Sequence, residues 1–170
     1  RLADVKRRFP LAVNLGAHDG GLTARLSGRN GIETVLQLEL SPALANLAAK
    51  AGPVAVADAE FLPLASASTD MIISPLDLHW VNDLPGVLLQ IRQALKPDGL
   101  FLAALMGGET LSELRQCLME AELLITGGVS PRLSPSADVR TLGSLLQRAG
   151  FALPVVDRDC ITVTYADPLK

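Results

Sequence analysis

Short, continuously apolar segments alternate along this chain with longer amphipathic ones, and this alternation constrains the fold more than any other feature. Five segments are typical of β-strands: residues 11–15, 33–38, 54–57, 71–74 and 100–106. None of them alternates cleanly between polar and apolar residues, which is typical of strands that helices cover on both faces of a parallel sheet. The sequence therefore predicts an α/β fold with a doubly wound, mostly parallel sheet.

Amphipathic segments between and after these strands predict the covering helices. Ser41 and Pro42 form a favourable helix start, because a serine can cap the first turn and proline suits its first position. Further helices are predicted over residues 21–26, 84–95, 110–124 and 138–149. The β-branched tail, residues 154–157 and 161–165, predicts a closing antiparallel hairpin.

Size and charge exclude several classes of protein. The chain has 170 residues, 49% of them hydrophobic, and a net charge of −3, so it fits one domain, residues 1–170, without the basic surface of a nucleic-acid binder. Its apolar runs are far shorter than the roughly 20 residues that span a bilayer.

Cys117 and Cys160 lie far apart without metal-ligand spacing, so we expect two buried thiols and no metal site. Because the chain begins with Arg1 and not with Met, we expect a fragment of a longer protein.

Candidate ligand-binding residues follow the first two strands, since ligands of such sheets bind at the carboxyl ends of the strands. Gly16 and Gly20 let the backbone of the first turn approach a ligand. His18 stands where a dinucleotide fingerprint has its second glycine, so a purely structural turn is an alternative. Glu39 follows about 20 residues after the turn, where a carboxylate accepts hydrogen bonds from ribose hydroxyls. The alternative for Glu39 is a solvated carboxylate beside a helix N-terminus.

Further candidates follow the third and fourth strands. Asp58 has the position to accept a proton from an exocyclic amine, or it is a turn former. His79 and the single tryptophan, Trp80, come after the fourth strand, where a binding crevice opens at the edge of the sheet. They are interpreted as the wall of an acceptor pocket, with core packing as the alternative.

Several motifs carry a resemblance to a known family. These are Gly16 with Gly20, and residues 39–42, 58–63, 70–74 and 95–99. In order and spacing they resemble the class I S-adenosylmethionine-dependent methyltransferases, which have a Rossmann-like fold. Residues 78–85, 107–111, 130–132 and 148–151 resemble more closely the methyltransferase-like assembly factors of mitochondrial complex I, which act as protein-arginine hydroxylases, and their bacterial relatives. The malonyl-carrier methyltransferases of biotin synthesis are near neighbours.

The resemblance implies S-adenosyl-L-methionine as cofactor and assigns its contacts by position. It implies these contacts: Gly16, Ala17 and Gly20 on the methionine and ribose side, Glu39 on the ribose, Leu40 on one face of adenine, Asp58 and Ala59 on its edge, and Pro75 and Leu76 beside the methionine. Asn14 and His18 depart from the family pattern, because aspartate and glycine are usual there. His18 either narrows the loop or contacts the carboxylate of the methionine moiety.

Three functions stay open at this point. The first is methyl transfer to a protein or small-molecule acceptor, which needs mainly alignment and exclusion of water. The second, implied by the resemblance, is arginine hydroxylation on a subunit of respiratory complex I. His18 and His79 are the only histidines, and the sequence does not indicate an iron site of two histidines and one carboxylate. The third is a non-catalytic assembly scaffold. The expected compartment is the bacterial cytoplasm or the mitochondrial matrix.

Residues 107–135 are predicted to be an insertion that covers the acceptor side of the cleft. The helix at 138–149 already provides the crossover that follows the fifth strand, so the helix at 110–124 is free to form a lid hinged at glycine pairs. Arg115 and Arg132 are candidates for contacts with an acidic partner, and Glu109 suits the start of the helix. The alternative is an ordinary core helix followed by a surface loop.

Overall fold

The computed structural model describes residues 7–130, 132 and 137–167. Along the chain the elements are β1 (Leu11–Leu15), α1 (Gly21–Leu26), β2 (Thr34–Glu39), α2 (Pro42–Ala48), β3 (Val54–Val56), β4 (Thr69–Pro75), α3 (Leu84–Ala94), β5 (Leu95–Ala104), α4 (Ser112–Thr126) and α5 (Val139–Arg148). Short 3-10 turns lie at Arg29–Gly31 and Leu78–Trp80. All five predicted strands are present, with ends shifted by a few residues.

The five strands form one parallel sheet in the order β3-β2-β1-β4-β5. Val13 in the central strand β1 pairs with Leu36 of β2 on one side and Ile72 of β4 on the other. The strand order reverses between β1 and β4, because the chain first builds outward through β2 and β3 and then crosses back. This order confirms the predicted doubly wound sheet, and it places the binding crevice at the carboxyl ends of β1 and β4.

Each face of the sheet has its own core. On one face, Val13 and Ile72 pack with Val87 and Ile91 of α3. On the other face, the alternate residues of β1 and β4, with Leu26 of α1, form the second core. Burial of each such side chain stabilises the fold by roughly 1.5–3 kcal/mol before entropy is counted. These two cores explain why the strands lack a polar face.

Helix starts follow the sequence signals. The Ser41 side chain accepts a hydrogen bond from the Leu44 amide at 3.4 Å, as predicted for α2. Asp83 caps α3 and Asp138 caps α5 in the same way, through the amides of Gly86 and Thr141. A carboxylate here also interacts favourably with the helix dipole.

Asp70 joins three strands at the amino edge of the sheet, opposite the crevice. Its carboxylate accepts the Leu11 amide at 3.0 Å and the Lys96 ammonium at 2.9 Å. Burial works to raise the pKa of Asp70, but the Leu11 amide and the Lys96 charge outweigh it and hold that pKa below its usual value. The Asp70 contacts therefore fix the register at which β1, β4 and β5 begin.

The end of the chain differs from the expectation. The described tail, residues 152–167, contains no strand, so the predicted antiparallel hairpin is not formed. The chain packs onto the core as far as Phe151, and beyond it Leu153 is 93% exposed. A β-branched pattern indicates a strand only where a pairing partner is present.

Both cysteines are exposed, so the expectation of two buried thiols is wrong. Cys117 lies on α4, a helix that buries none of its residues, and Cys160 lies in the exposed tail. No helix in the described part of the chain is long and apolar enough to cross a membrane.

Candidate functional site

The turn after β1 is fastened to the end of β2 by backbone hydrogen bonds. The amides of Gly16 and Ala17 both donate to the carbonyl of Leu38, at 3.0 and 3.2 Å. Gly16 has a φ of +75° and Gly20 a φ of +81°, a region that side chains with a Cβ disfavour. A Cβ on Gly20 would come 3.0 Å from the backbone of Ala48, so this glycine serves close packing on α2.

Glu39 is the buried carboxylate of the site. It is only 6% exposed, and its two oxygens accept the amide of His18 at 2.7 Å and the amide of Ser41 at 3.0 Å. The solvated alternative is therefore wrong. Each carboxylate oxygen has a second lone pair, so Glu39 keeps the capacity to accept hydroxyl donors from a ligand. Glu39 thus couples the end of β2 to the glycine turn.

His18 adopts a φ of +50°, where a glycine would be unstrained. Its amide is committed to Glu39, while its side chain is exposed. The replacement of glycine by histidine therefore leaves the turn in its left-handed conformation and adds an imidazole at the rim of the cleft.

Asn14 lies at the other departure from the family pattern. It is fully buried, and its amide nitrogen donates to the Thr23 hydroxyl of α1 at 3.1 Å. Asn14 therefore fastens β1 to α1.

Asp77 is a member of the site that the sequence reasoning missed. A Cβ built on Gly16 would lie 2.3 Å from both Cβ and Cγ of Asp77, so the aspartate side chain rests directly against the glycine. Burial raises the pKa of Asp77; the nearby Glu39 charge raises it further, while His18 and His79 act in the opposite direction. The available signal was its place in the loop after β4, where the strand order reverses.

Leu40 follows the end of β2, and Asp58 and Ala59 follow the end of the neighbouring strand β3. The Ala57 amide donates to the carbonyl of Glu39 at 3.0 Å, which keeps the two strand ends together. Leu40, the next residue after Glu39, has an apolar side chain that is 64% exposed. Asp58 is exposed and accepts the Glu60 amide at 2.9 Å, as a turn former does, while Ala59 is buried.

Pro75 and Leu76 lead from the end of β4 into the loop that carries Asp77. Pro75 ends β4, and the Leu76 amide donates to the carbonyl of Ala104 at 2.9 Å, so the loop begins on the end of β5. Leu76 has a φ of +54°, a strained value for a leucine. The strained backbone turns the chain so that Asp77 reaches Gly16.

His79 and Trp80 have different environments. Trp80 is 72% exposed, so core packing is excluded for its ring, and its amide donates to the carbonyl of Asp77 at 3.0 Å. His79 lines an apolar cavity of about 230 Å³ together with residues of α3, α5 and the segment that follows β5. Burial lowers the pKa of His79 against an opposing effect of the Asp77 charge, and its Nδ1 has no partner among the described residues.

A second missed group connects the loops after β3 and β4. Glu60 accepts both the backbone amide and the side-chain amide of Asn82, at 2.5 and 3.0 Å. Gln90 of α3 donates to the carbonyl of Glu60 at 2.7 Å and accepts the Leu62 amide at 2.9 Å. These bonds hold the two loops in one arrangement. The sequence did not indicate these contacts, because single polar residues in loops form no recognisable pattern.

Part of the predicted 107–135 insertion lies outside the described residues, namely 131 and 133–135, and so does one residue of the motif at 130–132. The two arginines assigned to an acidic partner already have contacts: Arg115 donates to the Gly108 carbonyl and Arg132 pairs with Glu122. The Ser130 hydroxyl and amide, with Arg132, lower the pKa of Glu122 to about 2.

Glu109 pairs with Arg158 of the tail at 2.5 Å. In the residues that the structure describes, no group of His, Cys, Asp and Glu side chains is arranged to hold a metal ion.

Comparison with known proteins agrees with this geometry. Residues 13–103 match the family model described as "Methyltransferase domain". The arginine-hydroxylase NDUFAF5, mitochondrial, of Danio rerio is 43% identical over 173 residues, which cover 100% of this chain and 54% of that protein. The malonyl-[acyl-carrier protein] O-methyltransferase of Xylella fastidiosa (strain M23) is 46% identical over 110 residues, covering 65% of this chain and 35% of that protein.

Among solved structures, an S-adenosylmethionine dependent methyltransferase from Mesorhizobium loti superposes with a TM-score of 0.67 at 25% identity, covering 92% of this chain and 80% of that one. The chain spans about half the length of the arginine-hydroxylase relatives it matches. The sheet order, the glycine turn and the acidic residue at the end of β2 agree with this likeness. The chain therefore belongs to the methyltransferase domain family and has the Rossmann-like fold of class I methyltransferases.

Proposed function

We propose that this chain binds S-adenosyl-L-methionine at the carboxyl edge of its sheet and transfers the methyl group to an acceptor. One observation carries the proposal: the glycine turn after β1, the buried carboxylate of Glu39 and the loop after β4 converge on one crevice. The convergence is made by hydrogen bonds and close contact, and not by sequence position alone.

The residues present fit this cofactor. Glu39 has free lone pairs for ribose hydroxyls, and Leu40 offers an exposed apolar surface for one face of adenine. Asp58 and Ala59 follow β3 on the same side, and they are proposed for the adenine edge. Gly16 has no side chain, so the space beside it is free for the methionine part of the ligand and for Asp77.

Ala17, His18 and Gly20 complete the proposed contacts in the turn, with Pro75 and Leu76 on the opposite wall. When bound, the cofactor supplies a methyl group on a sulfonium, which a nucleophile of the acceptor displaces. The chain's own residues hold the two reactants in line and keep water out, so no side chain needs to form a covalent bond. His79 and Trp80 are proposed for the acceptor side, His79 from within the apolar cavity and Trp80 from the surface.

Arginine hydroxylation is a second candidate, favoured by one observation. The Danio rerio relative named as an arginine-hydroxylase is 43% identical over the whole of this chain, whereas a malonyl-[acyl-carrier protein] O-methyltransferase that matches over 95% of it is 35% identical. Under this candidate a subunit of respiratory complex I is the acceptor, in a mitochondrial matrix or a bacterial cytoplasm. A non-catalytic assembly role with the same cofactor and partner is the third outcome of the test.

Calorimetry tests the cofactor first. We expect S-adenosylmethionine to bind the chain, and Glu39→Ala to weaken binding at least tenfold, because a charged acceptor contributes roughly 1.5–3 kcal/mol to such a contact. Glu33→Ala is the matched control, since Glu33 is an exposed glutamate on the opposite edge of the sheet. Absence of binding by the wild-type chain would contradict the proposal.

Mass spectrometry then identifies the reaction. The protein is incubated under air with S-adenosylmethionine, a two-electron reductant and a peripheral-arm subunit of complex I, and the mass of that subunit is measured. Hydroxylation inserts one atom of dioxygen, and the reductant converts the other atom to water. A gain of one methyl group supports methyl transfer, a gain of one oxygen supports hydroxylation, and an unchanged mass with a bound cofactor supports the scaffold. A parallel reaction without cofactor controls for spontaneous oxidation.

A further inference from the structure

Asp77 is a half-buried carboxylate whose contacts do not explain its place. Its side chain lies against Gly16 at the centre of the crevice, close enough that any Cβ on that glycine would overlap it. No hydrogen-bond donor among the described residues contacts the Asp77 carboxylate, whereas Glu39 and Asp70 each have two. Burying a carboxylate without a donor is unfavourable, so an unpaired one at a crevice is a candidate for a ligand contact.

The charges around Asp77 indicate the kind of ligand. The groups that act on it are Glu39, His18 and His79, and none of the described lysines or arginines is among them. The carboxylates of Asp77 and Glu39 therefore both face the glycine turn. Because like charges repel at short range, this crevice disfavours a phosphate and favours a positively charged group.

We propose that Asp77 is a specificity-determining residue that provides the counter-charge for the cationic methionyl half of the cofactor. This inference rests on the proposed function and adds to it a side-chain contact that separates S-adenosylmethionine from phosphate-bearing nucleotides. The positive group is the sulfonium or the α-ammonium, which share the chemistry of a cation beside a carboxylate. Pro75 and Leu76, which precede Asp77, are the residues proposed beside the methionine.

A series of three ligands tests the contact. S-adenosylmethionine carries both cations, S-adenosylhomocysteine keeps only the ammonium, and 5′-methylthioadenosine has neither. Calorimetry compares the wild-type chain with Asp77→Asn, which removes the charge and keeps the shape. Asp77→Ser is the second variant, and thermal unfolding checks that each variant folds. Asp83→Asn is the matched control. Asp83 lies in the same loop but caps α3, and the variant is expected to fold because asparagine also caps helices well.

We expect Asp77→Asn to weaken S-adenosylmethionine binding about tenfold or more and to change methylthioadenosine binding less than threefold. An equal loss for S-adenosylhomocysteine places the contact on the ammonium, and a loss for S-adenosylmethionine alone places it on the sulfonium; both support the inference. An unchanged affinity, or equal losses for all three ligands, overturns it while the proposed function stands. A wild-type chain that binds none of the three overturns the proposed function and this inference with it.

Discussion

Glu39 is expected to hold the glycine turn in place before any ligand binds, and this expectation has a measurable size. Its carboxylate accepts two backbone amides, from His18 at 2.7 Å and from Ser41 at 3.0 Å, and it is 6% exposed. A hydrogen bond to a charged group contributes roughly 1.5–3 kcal/mol. Glu39→Ala removes both bonds and leaves two amide donors unpaired, which gives a loss of about 3–6 kcal/mol. Water entering the vacated space moves the expected value toward the lower end.

Urea unfolding followed by far-ultraviolet circular dichroism measures this loss. Fluorescence is a poor probe here, since the single tryptophan is already exposed in the folded protein. Glu39→Gln keeps one acceptor oxygen, so about half the loss is expected. Glu33→Ala removes an exposed glutamate whose ion pair with Arg8 spans 3.4 Å, and less than about 1 kcal/mol is expected for it.

Hydrogen exchange locates the effect. The amides of His18 and Ser41 are expected to be protected in the wild-type protein and to exchange faster in Glu39→Ala, relative to the sheet amides. If the alanine variant unfolds within about 0.5 kcal/mol of wild type, on the order of a neutral surface change, the Glu39 carboxylate does not organise the turn. Unchanged protection of the His18 amide leads to the same conclusion.

Three further outcomes are expected. Asp70→Asn is expected to lower the free energy of unfolding by roughly 1–3 kcal/mol, because the Lys96 ammonium loses its charged partner; an unchanged urea midpoint counts against the strand-joining role. Trp80→Ala is expected to cost less than about 1 kcal/mol in the same measurement, whereas Leu78→Ala, which is fully buried, is expected to cost about 2–5 kcal/mol; the reverse order refutes the assignment of Trp80 to the surface. The α4 helix is expected to exchange its amides faster than the sheet without cofactor and to become protected with it; equal protection in the empty protein contradicts a lid.

The sheet was predictable because its strands are buried on both faces. Such strands have no polar alternation, so residues 11–15 were located correctly from their continuous apolar run. The start of β5 was not: the predicted strand begins at residue 100, whereas β5 begins at Leu95 and pairs with β4 through an irregular register. Asp98, within this irregular part, takes a φ of +59°, which a hydrophobic pattern does not indicate. Aspartate tolerates that region because its short polar side chain can bond locally.

The site was predictable where position along the chain decides the contact. Glu39 is the last residue of β2, and its place beside the glycine turn depends only on two neighbouring parallel strands. The contact of Asp77 with Gly16 depends instead on the path of the loop after β4, which the strained Leu76 turns toward the crevice. Backbone strain of this kind is not encoded in a hydrophobic pattern, so the sequence could indicate the loop but not the residue.

Apolar helix and tail residues were the least predictable. Leu114 and Leu118 lie on α4 at helical spacing, which is typical of a buried face, yet both are exposed. Periodicity shows that a helix has an apolar side but not what covers it. Cys117, which was expected to be a buried thiol, lies on the same helix and is exposed as well.

The two ends of β4 show how one residue type takes opposite roles. Asp70 at the amino end has the Leu11 amide and the Lys96 ammonium as partners, and its pKa is lowered. Its stabilising contribution is present above the pKa of the unfolded chain, near 3.8, and is lost as pH falls through the pKa of the folded protein. Asp77, just beyond the carboxyl end, has no hydrogen-bond donor among the described residues, and its pKa is raised. Its charged form therefore lowers the stability of the fold as pH rises above 3.8, whereas the protonated form at lower pH does not. The raised pKa of Asp77 is therefore unfavourable to the fold at neutral pH, and a cation bound beside its carboxylate, as proposed above, would relieve it.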